Sequence, residues 1–393
     1  MTSPSLPEAF PIRANALNAP SSGIVEVFDY GRGRPGLMPL WVGEGDLPTP
    51  AKVAAAARAS LEAGETFYTY QAGLPTLRET IASYLAGMYG RAVAADRIYV
   101  TSGGMHALQI AITMTAGAGD EVIVPSPAWP NFVGALTVSG ATPREVPMRF
   151  SEEGWQLDLD AVRAAICPKT RALVINSPAN PTGWTASAEE IRALMAMARQ
   201  HGLWIIADEI YGRFYFEGPR APSFRDVMTE TDRLIFVQTM SKNWAMTGWR
   251  LGWIEVPSQL GQTVVNLIQY SSSGAPVFIQ RAAELAIQEG EPQIVEQLAR
   301  ARDNRQILLD AFARQNRFRV ARPSGAFYLF FGIDGIEDTR QLAFRLIDEA
   351  NVGLAPGTAF GAGGAGYMRL CYLRKSADIA IAAERLVEAV ARL

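Results

Sequence analysis

Lysine is scarce in this 393-residue chain: of 36 basic side chains only Lys52, Lys169, Lys242 and Lys375 are lysines, leaving 32 arginines. Histidine and cysteine are scarcer still, with two of each. Cys167 and Cys371 lie far apart without a Cys-x-x-Cys, which argues against a disulfide framework or a zinc site and fits a reducing, cytoplasmic setting. His106 and His201 have no partners at ligand spacing, so a histidine-held metal and a Ser-His-Asp triad are poor hypotheses, and no metal site is expected. Both histidines are expected to be structural: His106 in a first helical turn, His201 ahead of Gly202 at a helix C-terminus, where a cation suits the dipole. No apolar run approaches the ~20 residues a membrane span needs. Met1 to Ile12 carries three prolines and no apolar core, so it is not expected to be a secretory signal. Charged residues are only 19% and the net charge is −3, which leaves nucleic acid and anionic membranes as poor candidates for a main partner.

What the chain does have is an ordinary globular balance, 49% hydrophobic, over a length that suggests two domains. Residues 1–50 are rich in Pro, Gly and Asn and read as an extended arm. From about 50 to 270, helical stretches alternate with short β-rich runs. The helical stretches include Val53–Ala63, Leu77–Tyr89, Met105–Thr115 and Ala188–Gln200. The runs are Arg97–Val100, Glu121–Val124, Ala172–Ile175, Leu203–Ala207, Leu234–Val237 and Gly252–Val256. Most of these runs are apolar at successive positions, the mark of strands buried on both faces. The pattern predicts an α/β fold, with a mostly parallel sheet flanked by helices. After residue 275 come long helices over 278–315, a β-like patch Ala326–Phe331, a helix Thr339–Ala350, a glycine-rich turn Gly361–Gly366, a strand Tyr367–Tyr372 and a helix from Ser376. This part reads as a smaller α+β domain. The expected division is an arm over 1–48, a large domain over 49–280 and a small domain over 281–393, with a soft boundary because a helix can run through it.

Chemistry-bearing residues follow the strand-like runs, where open α/β sheets bind ligands. Thr101-Ser102-Gly103-Gly104-Met105 is either an ordinary strand-to-helix turn or an anion cradle; its spacing matches neither a dinucleotide nor a Walker motif. Trp129, between Pro127 and Pro130, either anchors the core or stacks on a flat ligand. Asn180, in Asn176-Ser177-Pro178-Ala179-Asn180-Pro181-Thr182-Gly183, either closes a turn or donates its amide to a ligand oxygen. Asp208, in Asp208-Glu209-Ile210-Tyr211, is either a helix cap or a buried carboxylate awaiting a cation. Lys242 follows Thr239-Met240-Ser241, and Arg250 follows Gly248-Trp249. A lone loop lysine is ordinarily a solvated group, but lysine, unlike arginine, can lose its proton and attack a carbonyl. An anion cradle, a flat surface, an amide, a carboxylate, a phenol, an amine and a guanidinium together suit pyridoxal phosphate, for which a lysine attachment and an acidic partner for the ring nitrogen are expected.

On these blocks the chain resembles the class I/II pyridoxal-phosphate aminotransferases of the aspartate aminotransferase superfamily, fold type I. The most specific are Asn180-Pro181-Thr182-Gly183, Asp208-Glu209-Ile210-Tyr211 and Ser241-Lys242 with Gly248-Trp249-Arg250. The resemblance runs from Gly43-Glu44-Gly45-Asp46 to Arg369 and implies a seven-stranded sheet in the large domain. It implies that Lys242 attaches the cofactor and shuttles the proton, and that Asp208 pairs with the ring nitrogen. Asn180 and Tyr211 would bond the phenolic oxygen, with Trp129 stacked on the ring. Gly103, Gly104 and Met105 would line the phosphate together with Thr239 and Arg250. Arg369 would grip the substrate α-carboxylate, with Gly43, Trp129 and Asn180 beside it. Tyr68, with Tyr70 as a rival, would reach the phosphate of a neighbouring subunit in a homodimer. There are departures. Met105 stands where relatives often carry a hydroxyl or a lysine, and Thr239 replaces a common serine. Dicarboxylate-specific members carry an arginine three residues before a Tyr-Ser pair. Aligned on Tyr270-Ser271, this chain has Leu267 there, which puts aspartate or glutamate as preferred donor in doubt, although some relatives bind the distal carboxylate differently.

The implied activity is ping-pong transfer of an amino group between an L-amino acid and a 2-oxo acid. A carbon–sulfur β-lyase on the same fold is the alternative, since it would use the same cofactor residues. The third reading is a cofactor-binding module of a transcription regulator; it ranks last because the first 50 residues contain no helix-turn-helix pattern.

Overall fold

Seven segments build the central sheet: Ile98–Thr101 (β1), Glu121–Ser126 (β2), Thr142–Pro147 (β3), Thr170–Asn176 (β4), Trp204–Asp208 (β5), Leu234–Thr239 (β6) and Gly252–Glu255 (β7). They are seen in a computed structural model that describes residues 12–393. The expectation about a leader, and the arm's residues before 12, lie outside the described residues. The strand order is β1-β7-β6-β5-β4-β2-β3. All neighbours are parallel except β7, which runs antiparallel between β6 and β1. Six strands coincide with the apolar runs to within two residues at either end. The seventh, β3, is Thr-Pro-Arg-Glu-Val-Pro; it lies at the sheet edge with mostly exposed or half-buried side chains, so it carries no apolar signature.

This topology sets the functional edge. Asn176 pairs with Asp208, which puts the ends of β4 and β5 level. Gly252 pairs with both Thr101 and Thr239, so the antiparallel β7 starts where β1 and β6 finish. Arg250, two residues before β7, therefore enters at the same edge as Gly103 and Lys242. The helix Gly104–Thr115 leaves that edge directly after β1.

The flanking helices end where their caps dictate. Ser187 and Glu190 form a capping box before Ala188–His201, and Gly202 closes that helix in the left-handed conformation, leaving His201 as its last residue. Pro75, Pro130 and Pro292 each stand in a first turn, where a missing N–H costs nothing. The helix Val277–Glu289 packs against Ala51–Glu62 and Pro75–Tyr89 and crosses residue 280.

A second, four-stranded antiparallel sheet holds Phe318–Arg319, Tyr328–Ile333, Ala355–Pro356 and Tyr367–Cys371. Arg369 stands in it between Phe330 and Ala355 and is buried. One apolar cluster runs from Val27 through Leu173 and Phe214 to Val390, so the two sheets share a core.

The arm is less extended than its composition suggests. Gly23–Gly31 is a helix capped by Ser22, with Val27 buried and Tyr30 edge-on to Phe344. A short run of spaced apolar residues with a serine cap suffices once the helix Thr339–Ala350 offers a surface. Beyond it, Met38–Pro39 pairs with Val352–Gly353, and Leu40 O accepts from Cys371 N at 2.9 Å. No helix among the described residues is long and apolar enough to cross a membrane.

Candidate active site

The strand ends enclose a cavity of about 420 Å³. Gly43, Gly104, Met105, Trp129, Asn180, Asp208, Tyr211, Thr239, Lys242, Arg250 and Arg369 all line it. Gly103 lies just outside, at φ +91°, where a Cβ would come within 2.7 Å of Arg250 Nη2. Tyr68 and Tyr70 are not among the lining residues; they are 95% and 63% exposed. Leu267 is half-buried in the helix Gly261–Ser271 and does not line the cavity.

Asp208 ends β5 inside the protein, at 2% exposure. Its Oδ1 accepts from Ile210 N at 3.3 Å, and the carboxyl has no ion pair among the described residues. Burial dominates and pushes its pKa up to about 7, partly opposed by the Ile210 N–H and by Lys242. Lys242 follows β6 through a turn in which Thr239 Oγ1 donates to Ser241 Oγ at 2.9 Å. Part of its side chain faces the cavity, yet the amine's pKa is lowered to about 8, chiefly by desolvation and in part by Arg369, against the opposing pull of Cys371, Glu44 and Asp208. Lys242 Nζ donates to the Gly43 carbonyl at 2.7 Å, so the arm reaches the amine directly.

Asn180 is held from two sides. Its backbone N–H donates to Asn176 Oδ1 at 2.8 Å, while Asn176 Nδ2 donates to the Asp208 carbonyl at 3.1 Å. Arg369 Nη1 donates to Asn180 Oδ1 at 3.1 Å, which orients the amide and leaves its NH2 for a ligand. Arg369 Nη2 donates to the Trp41 carbonyl, and Nε is buried without a partner among the described residues. Trp129, half-buried, precedes the helix Pro130–Ser139 and meets Phe132 edge-on, centroids 5.4 Å apart. Arg250 is exposed and braced by Thr247, whose carbonyl accepts from Nη1 at 2.9 Å. His106 accepts from Ser102 N at Nδ1, 3.1 Å away, and Nε2 lies 2.7 Å from Ser271 Oγ.

Sequence reasoning passed over Tyr328, Asn176 and Glu44. Tyr328 lies in an apolar strand run that reads as core, and its hydroxyl is the one polar atom there that could have flagged it. Asn176 ends β4 as Asp208 ends β5, a positional signal that was on view. Glu44 lines the cavity and accepts from Thr247 Oγ1 at 3.0 Å.

The aminotransferase class I and II family matches residues 35–386. An aspartate aminotransferase of Pyrococcus abyssi is 33% identical over 95% of this chain and 94% of that protein. An arginine–pyruvate transaminase of Pseudomonas aeruginosa is 34% identical over 90% and 88%. Among solved structures, an aspartate aminotransferase from Thermus thermophilus with maleate aligns with a TM-score of 0.89 at 32% identity, over 96% of this chain and 99% of that one.

Proposed function

Because the chain belongs to the class I and II aminotransferases and moves an amino group between an amino acid and a 2-oxo acid, we propose that it works through pyridoxal phosphate held in the cavity around Lys242. The observation that carries the reading is the company of Lys242: among the described residues it is the one lysine lining the cavity, and it shares that space with a buried, unpaired carboxyl. Two features fit the cofactor, and a third fits its substrate. Asp208 lacks the cation that a protonated ring nitrogen would supply. Gly103 provides an approach that a Cβ would close against Arg250. The Arg369 Nε is a buried donor awaiting an acceptor.

When bound, pyridoxal phosphate supplies an aldehyde for amines and a ring that takes up negative charge from the substrate α-carbon. The chain's own residues do the rest. Lys242 Nζ anchors the cofactor and, once freed, carries the proton from the substrate α-carbon; a pKa near 8 suits that duty at neutral pH. Asp208 keeps the proton on the ring nitrogen. Asn180 Nδ2 and the Tyr211 hydroxyl donate to the phenolic oxygen, and Trp129 covers the ring. Arg250, Thr239 and the backbone of Gly103, Gly104 and Met105 take the phosphate. Arg369 takes the α-carboxylate, next to Gly43. Lys242, Arg250 and Arg369 then all have duties, so a substrate's second carboxylate would draw its cation from elsewhere, such as a partner subunit.

The proposed organisation keeps the arm over 1–48, a large cofactor-binding part over 49–280 and a small part over 281–393, in a homodimer where Tyr68 or Tyr70 reaches the other subunit's phosphate. Their exposure in the single chain supports that reading. No observation favours β-elimination. The test is borohydride reduction of purified holoprotein followed by peptide mapping: the label is expected on Lys242, with Lys242→Ala losing both label and transamination. A label on another residue, or normal turnover by Lys242→Ala, would overturn the assignment.

A further inference from the structure

Tyr328 is the site's least explained residue. It is fully buried in the strand Tyr328–Ile333, yet it lines the cavity. That hydroxyl lies 2.7 Å from the Tyr211 hydroxyl, with the two rings edge-on at 88°. The Arg369 guanidinium sits over the Tyr328 ring, 4.8 Å from its centroid. A Cβ on Gly43 would run into the Tyr328 hydroxyl, so residue 43 has no side chain because Tyr328 occupies its place. One side chain thus touches the phenol, the guanidinium and the arm that receives Lys242.

We propose that Tyr328 is a positioning residue that fixes the direction of hydrogen bonding at Tyr211, forming a relay Tyr328 → Tyr211 → phenolic oxygen of the cofactor. This rests on the functional reading above. A hydroxyl has one proton to donate. If Tyr211 gives its proton to the cofactor oxygen, the 2.7 Å contact is satisfied only when Tyr328 donates to Tyr211. Among the described residues Tyr328 has no other hydrogen-bond acceptor, so its proton is available for that bond. Donation into Tyr211 polarises its O–H and strengthens the bond it makes onward. Burial raises the pKa of both phenols, which keeps both protons in place. The charged and titratable groups facing the pair are Asp208 from β5, Arg369 and Cys371 from the neighbouring strand, and Lys242 from the turn after β6; Glu44 faces Lys242 from the arm.

A bond into the phenolic oxygen draws electron density off it and makes it a poorer acceptor for the proton on the cofactor-linked Lys242 nitrogen. Weaker donation therefore raises the pH at which that proton leaves. The experiment is an absorbance titration of holoprotein, wild type against Tyr328→Phe, Tyr211→Phe and the double variant. Tyr328→Phe should raise the transition by roughly half a unit to one unit, a three- to tenfold change in proton affinity, as expected for one weakened hydrogen bond. Tyr211→Phe should raise it further, and adding Tyr328→Phe to that variant should change nothing more. A purely structural Tyr328 would leave the single variant's transition where it was, and that result overturns the relay. An additional shift in the Tyr211→Phe background overturns it too, since Tyr328 would then act by another route. If wild type shows no cofactor absorbance tied to Lys242, the functional reading fails first, before any variant is compared.

Discussion

At the residue scale, the site is built from groups whose charge is held off balance. Asp208 is raised from 3.8 to about 7 by desolvation, and Glu209 behind it from 4.5 to about 7 for the same reason. A carboxyl with a raised folded-state pKa favours the fold while both states keep the proton, below about pH 4. That contribution is lost as pH climbs through the folded value near 7, because the unfolded chain ionises first. A shift of that size is worth at most roughly 4 kcal/mol for a fully buried group. Ligand-free protein is therefore expected to lose stability between about pH 4 and 7, and ligand-free Asp208→Asn to lose less, with Glu209 accounting for the remainder. Urea midpoints across that range check it; equal slopes in the two proteins would show that Asp208 is not held near-neutral. Cofactor should flatten the wild-type slope as well, since a ring cation beside Asp208 favours the carboxylate.

At the element scale, the site is a set of strand ends brought level by register, and one turn holds it together. Gly103 takes φ +91°, which L side chains rarely adopt, and a Cβ there would press on Arg250 Nη2. The arginine end can swing aside, but it then leaves the place from which it would meet the proposed cofactor's phosphate. Gly103→Ala is expected to weaken pyridoxal phosphate binding about tenfold, because the displaced guanidinium no longer meets the ligand; the ~1–2 kcal/mol of backbone strain is present with and without cofactor and lowers stability instead. Equilibrium dialysis of cofactor measures this, and an unchanged dissociation constant would remove Gly103 from the cradle. Much of this architecture is legible in sequence because buried parallel strands announce themselves by unbroken apolar runs, each followed by its polar turn. Asn180, Asp208 and Lys242 are visible for that reason. The edge strand Thr142–Pro147 is not, because half its side chains meet water and two are prolines. Tyr328 is hidden for the opposite reason: buried among aromatic neighbours, it reads as core, and only its tertiary contacts with Tyr211, Arg369 and Gly43 separate it from Phe327 or Phe330. The helix Gly23–Gly31 is hidden because its stability comes from the helix it lies on.

At the scale of the whole molecule, this chain supplies Lys242, Asp208 and Arg369 to its cavity but holds Tyr68 out in solvent, 95% exposed beside Phe67 at 84%. Two aromatic side chains that open to water on one loop are what a second copy of the chain would cover. If Tyr68 completes the neighbour's phosphate site, its contribution must be separable from that of Lys242 by mixing subunits. Tyr68→Phe removes one donor to a phosphate, worth ~1.5–3 kcal/mol, so it should weaken cofactor binding without preventing attachment at Lys242. Lys242→Ala alone should be inactive. In a hybrid dimer, the Tyr68→Phe subunit keeps its lysine and receives an intact Tyr68 from the Lys242→Ala subunit, which restores one native site; the other site lacks both groups. Random reassociation at equal amounts makes half the dimers hybrid, so about one quarter of all sites should regain wild-type cofactor affinity. Activity measured at limiting cofactor, before and after co-refolding the two variants, reads this directly. Recovery with Tyr70→Phe but not with Tyr68→Phe would move the role to Tyr70, and no recovery with either would mean that each cavity is complete within its own chain.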